Sequence, residues 1–141
     1  MLSYLWRWLM NKKLVEVVAA VIENENNEIL CALRSPIMTL PNMWEFPGGK
    51  VEEGESLYTA IEREIKEELK CSIKAIEIIG ENRHEYEKII VNLTAIKCNL
   101  VEGEPVADEH SKLIYLNKEN LESLVWAPAD IPLVKKVINI L

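Results

Sequence analysis

Apolar positions along the chain fall into two periods. "LVEVVAAVIE" (Leu14 to Glu23) is a nearly unbroken β-branched run, which predicts a buried strand. "NENN" turns the chain and "EILCALR" (Glu28 to Arg34) predicts a second strand, so the pair is expected as a hairpin. Pro36 and Pro41 punctuate the loop that follows. Leu57, Ile61, Ile65 and Leu69 then recur every four residues, predicting a helix from Ser56 to Leu69. Three more strand-like runs come next: "SIKAIEIIGE", "KIIVNLTAIKCNLV" and "SKLIYL". "KENLESL" predicts a short helix, and "PADIPLVKKVINIL" an amphipathic helix with Pro132 near its first turn. This order predicts an α/β fold, a mixed sheet with helices packed against it, without a domain boundary.

Composition narrows the function classes. With 141 residues, 49% of them hydrophobic and 28% charged, the chain has one domain's worth of core. A formal net charge of -7 excludes a protein that holds nucleic acid through its phosphates, because that needs basic surface. A polyphosphate ligand would need cations as intermediaries. Cys31, Cys71 and Cys98 form no CxxC pair, so they predict small buried side chains in a reduced, cytoplasmic setting. Residues 1–9 read as an extension of unknown role ahead of a domain over 10–141. Their apolar stretch is broken by Arg7 and is too short to span a bilayer.

The chemistry gathers in "WEFPGGKVEEGES" and the helix after it. Seven glutamates lie between Glu52 and Glu68, and like charges on one face weaken a helix. Glu64, Glu67 and Glu68 share an arc of about 100° at 3.6 residues per turn. They read either as a solvated acidic face or as oxygen ligands for Mg²⁺ or Mn²⁺, not zinc. Gly48 and Gly49 follow Pro47, which predicts a sharp turn whose backbone approaches a ligand or metal closely.

"GKVEEGESLYTAIEREIKEELKC" resembles the Nudix box, G-x5-E-x7-R-E-U-x-E-E-x-G-U with U apolar. Gly49, Glu55, Arg63, Glu64, Ile65, Glu67 and Glu68 fall in register. One position departs: the glycine near the box end is Lys70, which puts the C-cap geometry in question. "WEFPGGK", the segment from Gly103 to His110, and "APADIPLV" are similar to the MutT-like branch of the family, including its members for CTP and for 8-oxo-dGTP.

The resemblance implies an α/β/α sandwich and a Mg²⁺- or Mn²⁺-dependent pyrophosphohydrolase of nucleoside triphosphates, working as a monomer or homodimer. It implies metal ligation by Glu64, Glu67, Glu68 and the Gly48 carbonyl. Glu109 falls at the family's distant loop glutamate, a further ligand or base, against a plain surface acid. Glu64 and Glu67 are the other candidates for catalysis. Arg34 is placed to contact phosphate, against a solvent-facing strand end. Glu55 and Arg63 are expected to pair and brace the turn. Asp130 is either a base reader or a helix cap. Ionised, it only accepts, which favours a base edge presenting N–H donors. Phe46, Trp44 and Trp126 would form a stacking wall or part of the core. The alternatives are a Nudix hydrolase for ADP-ribose, dinucleoside polyphosphates or capped RNA, and a non-catalytic nucleotide-binding module.

Overall fold

A computed structural model describes residues 12–140, so the expected extension over 1–9 lies outside the described residues. Strand β1 (Lys13–Glu23) runs parallel to β6 (Ile89–Glu102) along its whole length, from Lys13 opposite Ile89 to Glu23 opposite Asn99. Beyond β6 lies β5 (Ser72–Glu85), antiparallel to it. On the other side β1 meets β2 (Glu28–Leu33) at its end, with Glu23 opposite Ile29. Strand β2 then pairs with β3 (Trp44–Glu45) and β7 (Lys112–Asn117), both antiparallel. The expected hairpin is therefore a short contact followed by divergence. Side chains on β1 alternate as a strand must. Val18, Ala20 and Ile22 face helix α1 (Leu57–Leu69), whose Ile61, Ile65 and Leu69 are fully buried. Ala19 and Val21 face the opposite layer, with Leu133 and Val137 of helix α2 (Ile131–Ile140). The result is the expected α/β/α sandwich.

Local chemistry sets the bounds of α1. Ser56 has extended backbone and its Oγ accepts from Thr59 N–H at 3.1 Å, a side-chain cap at the first turn. Lys70 closes the helix in the left-handed region, φ 59 and ψ 30. That conformation costs a non-glycine residue about 1–2 kcal/mol. The lysine stays because Nζ donates to the Glu67 carbonyl at 2.7 Å, meeting one of the helix's unpaired acceptors. The C-cap that the sequence put in question is thus retained with a different residue.

One expectation is corrected. Gly48 and Gly49 do not form a sharp turn: they begin strand β4 (Gly48–Lys50), antiparallel to β1, with Gly48 opposite Ala19 and Gly49 opposite Val18. Neither has a positive φ. The missing side chains serve space instead, since a Cβ on Gly48 would collide with the Val18 carbonyl oxygen and one on Gly49 with the Glu64 carboxylate. The short helix expected from "KENLESL" is present as a 3-10 helix over Lys118–Ser123. Among the described residues no helix is long and apolar enough to cross a membrane.

Gly48→Ala should cost about 3 kcal/mol or more, because the colliding atoms are backbone and cannot rotate aside. Gly54→Ala is the control: φ is +78 with open space around it, so about 1 kcal/mol is expected. Urea unfolding of both variants checks this, and equal losses would mean that β4 can shift away from β1.

Candidate active site

Helix geometry separates the three clustered carboxylates. Glu64 and Glu68 lie about 40° apart on the helical wheel, beside the buried Ile61, whereas Glu67 lies about 60° to the other side of Glu64. Accordingly the Glu68 side chain is 11% exposed and the Glu67 side chain 63%. The expected shared face is therefore split, with two carboxylates bordering the core and Glu67 at the rim. Arg63 gathers them from outside. Its Nε donates to Glu55 Oε2 at 2.6 Å and Nη2 to Glu55 Oε1 at 2.9 Å, a two-pronged pair. Nη1 reaches Glu64 at 2.9 Å and Glu67 at 3.3 Å, and Nη2 also donates to the Lys50 carbonyl at 3.1 Å. The Arg63 hydrogen bonds, helped by the Glu52 backbone N–H, hold the Glu55 carboxyl down at about 2.

Glu68 has a different neighbour. His110, fully enclosed, sits between it and Glu45: Nε2 is 2.7 Å from Glu45 Oε2 and Nδ1 is 3.1 Å from Glu68 Oε1. The Nδ1 contact is one of proximity only, since that atom lacks hydrogen-bond geometry to any partner. Burial opposes charge on the imidazole, but the Glu45 hydrogen bond and the charges of Glu68 and Glu45 outweigh it and raise the His110 pKa. Burial also pushes Glu68 up to about 7; His110 pulls it down, while Glu45, Glu64 and Glu109 add to the rise. Glu45 Oε1 accepts from Arg34 Nη1 at 2.8 Å. Arg34 further donates from Nε to the Thr39 carbonyl at 2.6 Å and from Nη2 to Thr39 Oγ1 at 3.0 Å. Its fork therefore clasps the loop after β2 instead of pointing to solvent.

These groups edge a cavity of about 820 Å³. Glu64, Glu68, Glu109, Gly48 and Gly49 line it, together with the cations Arg34, Lys50 and Lys88. Val17, Ala19, Val91, Leu93 and Phe46 give apolar lining, and Asp130 is a buried carboxyl on the wall. Glu67 is not among the lining residues. Phe46 packs its ring on Trp126, with centroids 4.8 Å apart, so it belongs to the core as well as to the cavity. The Trp126 indole N–H donates to the Leu121 carbonyl inside that core.

Asp130 Oδ2 accepts from Phe46 N–H at 3.1 Å, 84 residues away, and not from the first turn of α2. Burial and then the charge of Glu45 raise its carboxyl to about 8, against the pull of the Phe46 N–H and Arg34. Enclosure thus favours the protonated form of Asp130, which has one O–H to donate, over the ionised form that can only accept. Asn82 Nδ2 donates to the Ala129 carbonyl at 3.0 Å and Ala129 N–H to the Tyr86 hydroxyl at 3.3 Å, fixing the segment that carries Asp130.

Sequence reasoning missed Glu45, His110 and Asn82, and Tyr86 stood out only by its distance past the box, similar to that of a tyrosine in the family's dinucleoside polyphosphate enzymes. A usable signal existed for His110, one of two histidines in the chain and next to Glu109. Glu45 gave none, since only the fold brings it to the cavity.

The donor set fits a hard divalent cation. It is all oxygen, it is crowded with like charge at Glu68, and the space beside Gly49 is taken up by the Glu64 carboxylate. The carboxylates do not yet converge: among the described residues no group of three His, Cys, Asp or Glu stands ready to hold a metal. Arg63 explains this, because it draws Glu64 and Glu67 toward itself.

The NUDIX domain profile matches residues 13–137. A CTP pyrophosphohydrolase of Escherichia coli is 37% identical, over 87% of this chain and 90% of its own length. An 8-oxo-dGTP diphosphatase of Haemophilus influenzae is 29% identical, over 92% of this chain and 96% of its own. The solution structure of a DNA mismatch repair protein MutT of the Nudix hydrolase family, from methicillin-resistant Staphylococcus aureus, superposes with a TM-score of 0.75. It is 47% identical and the match covers 91% of this chain and 98% of that one.

The Glu55–Arg63 pair gives a pH signature. Glu55 is lowered from 4.5 to about 2, so its stabilisation is present above pH 4.5 and lost as pH falls toward 2. Glu55→Gln should melt below wild type at neutral pH, and the gap should close between pH 4.5 and 2. Melting curves of both proteins across that range test it, and a gap independent of pH would remove the ionic role of Glu55.

Proposed function

The chain belongs to the NUDIX family and is a Nudix hydrolase, and from that premise we propose that it is a Mg²⁺- or Mn²⁺-dependent pyrophosphohydrolase of nucleoside triphosphates, ribo or deoxy. The observation that carries the reading is one cavity lined by carboxylates, cations and apolar side chains together, with Glu64, Glu68 and Glu109 beside Arg34 and Lys50, and with Phe46 and Asp130. That mixture suits a polyphosphate joined to a base. The names of the similar enzymes support the same class, with CTP and 8-oxo-dGTP as the leading substrates.

In this reading Glu64, Glu67, Glu68, Glu109 and the Gly48 carbonyl hold the cation, Glu67 turning in from the rim. The bound cation supplies charge neutralisation for the polyphosphate and acidifies water. Water attacks an inner phosphorus, the bond to its bridging oxygen breaks, and pyrophosphate leaves beside the nucleoside monophosphate. The water's proton passes to a carboxylate. Glu109 is the best-placed acceptor, since it lines the cavity from an exposed loop, whereas Arg63 restrains Glu64 and Glu67. Arg34 turns from Glu45 to the phosphates, and Phe46 and Asp130 meet the base. Glu55 and Arg63 brace the carboxylate-bearing turn.

Nucleoside monophosphate release across CTP, dCTP, 8-oxo-dGTP, dGTP and ADP-ribose with Mg²⁺, which registers CMP, dCMP, 8-oxo-dGMP, dGMP or AMP alike, tests the assignment. Turnover should favour a triphosphate, and Glu68→Gln should lower kcat by about a hundredfold or more with the fold kept. Preferred turnover of ADP-ribose would overturn the substrate class.

Asp130 gives a separate test. Asparagine donates and accepts as the protonated acid does. Asp130→Asn should therefore keep the kcat/KM ratio of CTP to 8-oxo-dGTP within about threefold at pH 6.5, under half a unit of log preference. Above pH 8 the wild type loses its donor, so its ratio should drift while that of the variant stays flat. Steady-state kinetics of both proteins at pH 6.5 and 9 checks this, and parallel ratios at both pH values would remove Asp130 from base reading.

A further inference from the structure

We infer that His110 is a positioning residue that ties Glu68 to the clasp over the cavity, an inference that rests on the metal and phosphate roles proposed above. Its side chain is 1% exposed and both ring nitrogens face carboxylates, Glu45 at 2.7 Å and Glu68 at 3.1 Å. Glu45 accepts Arg34 with its other oxygen, and Arg34 grips Thr39 through two further donors. A line of hydrogen-bonded side chains thus runs from the loop after β2 through Arg34 and Glu45 to His110, whose Nδ1 lies 3.1 Å from Glu68 as a close contact without hydrogen-bond geometry.

Two features set this histidine apart from filler. An apolar side chain would pack in that enclosure without an unmet polar atom, yet Nδ1 is buried there without a hydrogen bond and aimed at Glu68. The restraint is also complementary to that of Arg63, which contacts Glu64 and Glu67 while His110 takes Glu68. Without a partner, Glu68 would sit among Glu45, Glu64 and Glu109, all of which repel it. Outer partners that orient a metal-binding carboxylate typically matter by about 10–100-fold in metal affinity. The line of contacts also sets Glu45, and hence the pose of Arg34 from which phosphate must recruit it.

Two amide substitutions separate the arms. Asparagine places its amide near the position of Nδ1, facing Glu68, and glutamine near that of Nε2, facing Glu45. The measurements are Mn²⁺ affinity by electron paramagnetic resonance without nucleotide, then kcat and KM with Mg²⁺ and CTP, and a melt of each variant. His110→Gln should weaken Mn²⁺ by about tenfold or more and lower kcat. His110→Asn should hold Mn²⁺ affinity within about threefold while KM rises, because Arg34 and Glu45 lose their anchor. Glu45→Gln, which keeps an acceptor for Arg34, is the second probe and should follow His110→Asn, with Mn²⁺ binding kept and KM raised. Unchanged Mn²⁺ affinity in His110→Gln, or equal losses in both arms that track the fall in melting temperature, would overturn the inference. If the wild type turns over no triphosphate but the Mn²⁺ affinities still split, the positioning role stands and the substrate reading fails. If it turns over CTP and the affinities do not split, the reverse holds.

Discussion

Arg63 stands on α1 with carboxylates on several sides, and most of the site's order can be traced to its fork. Two of its nitrogens hold Glu55, one reaches Glu64 and Glu67, and the fork also meets the Lys50 carbonyl at the end of β4. That set of contacts joins strand, loop and helix through one delocalised charge. It offsets the repulsion that would otherwise unwind a helix so rich in glutamate. It also keeps Glu64 against Gly49, which fixes how closely helix and strand approach. Arginine suits the post better than lysine, because a planar fork can serve a carboxylate with two bonds and still reach others. A divalent cation held there, as proposed above, would compete with a charge already in place, and its affinity would be a difference between two attractive states.

The cavity adds a second constraint, placed by distant parts of the chain. Asp130 is held by a backbone N–H from Phe46, and the segment before it is gripped by Asn82 and Tyr86 of the β5 end. Base recognition would then be set by a carboxyl with one oxygen already committed to the backbone. Enclosure raises its pKa, so the polarity of the wall is a property of packing as much as of residue type.

How much of this was legible varied with range. The four-residue spacing of Leu57, Ile61, Ile65 and Leu69 announced α1, and Ser56 announced its start, because both signals act within one or two turns. The β-branched runs announced β1 and β6 in the same way. Strand β4 was hidden because its glycines are there for what they leave out, and the atoms that need the room belong to Val18 and Glu64. The pairing of Glu55 with Arg63 could be anticipated from the box pattern. Glu45 and His110 could not, since their contact spans 65 residues and depends on β3 and the loop before β7 meeting beside α1. The raised titration of Asp130 depends likewise on enclosure and on Glu45, Phe46 and Arg34, which are distant in sequence.

The parallel pairing of β1 with β6 has a consequence for how the protein is made. Lys13 lies opposite Ile89, so the central seam joins segments 76 residues apart. During synthesis β2 and β4 follow β1 closely and can cover part of one edge, but the edge that takes β6 must wait. Closing so large a loop comes before any gain from the seam, which puts this fold among the slower topologies. In the interval β1 keeps one open edge on an apolar segment of high strand propensity, the kind that recruits other chains. The seam at the centre of the sheet is therefore the part of the fold most exposed to misassembly before the chain is complete.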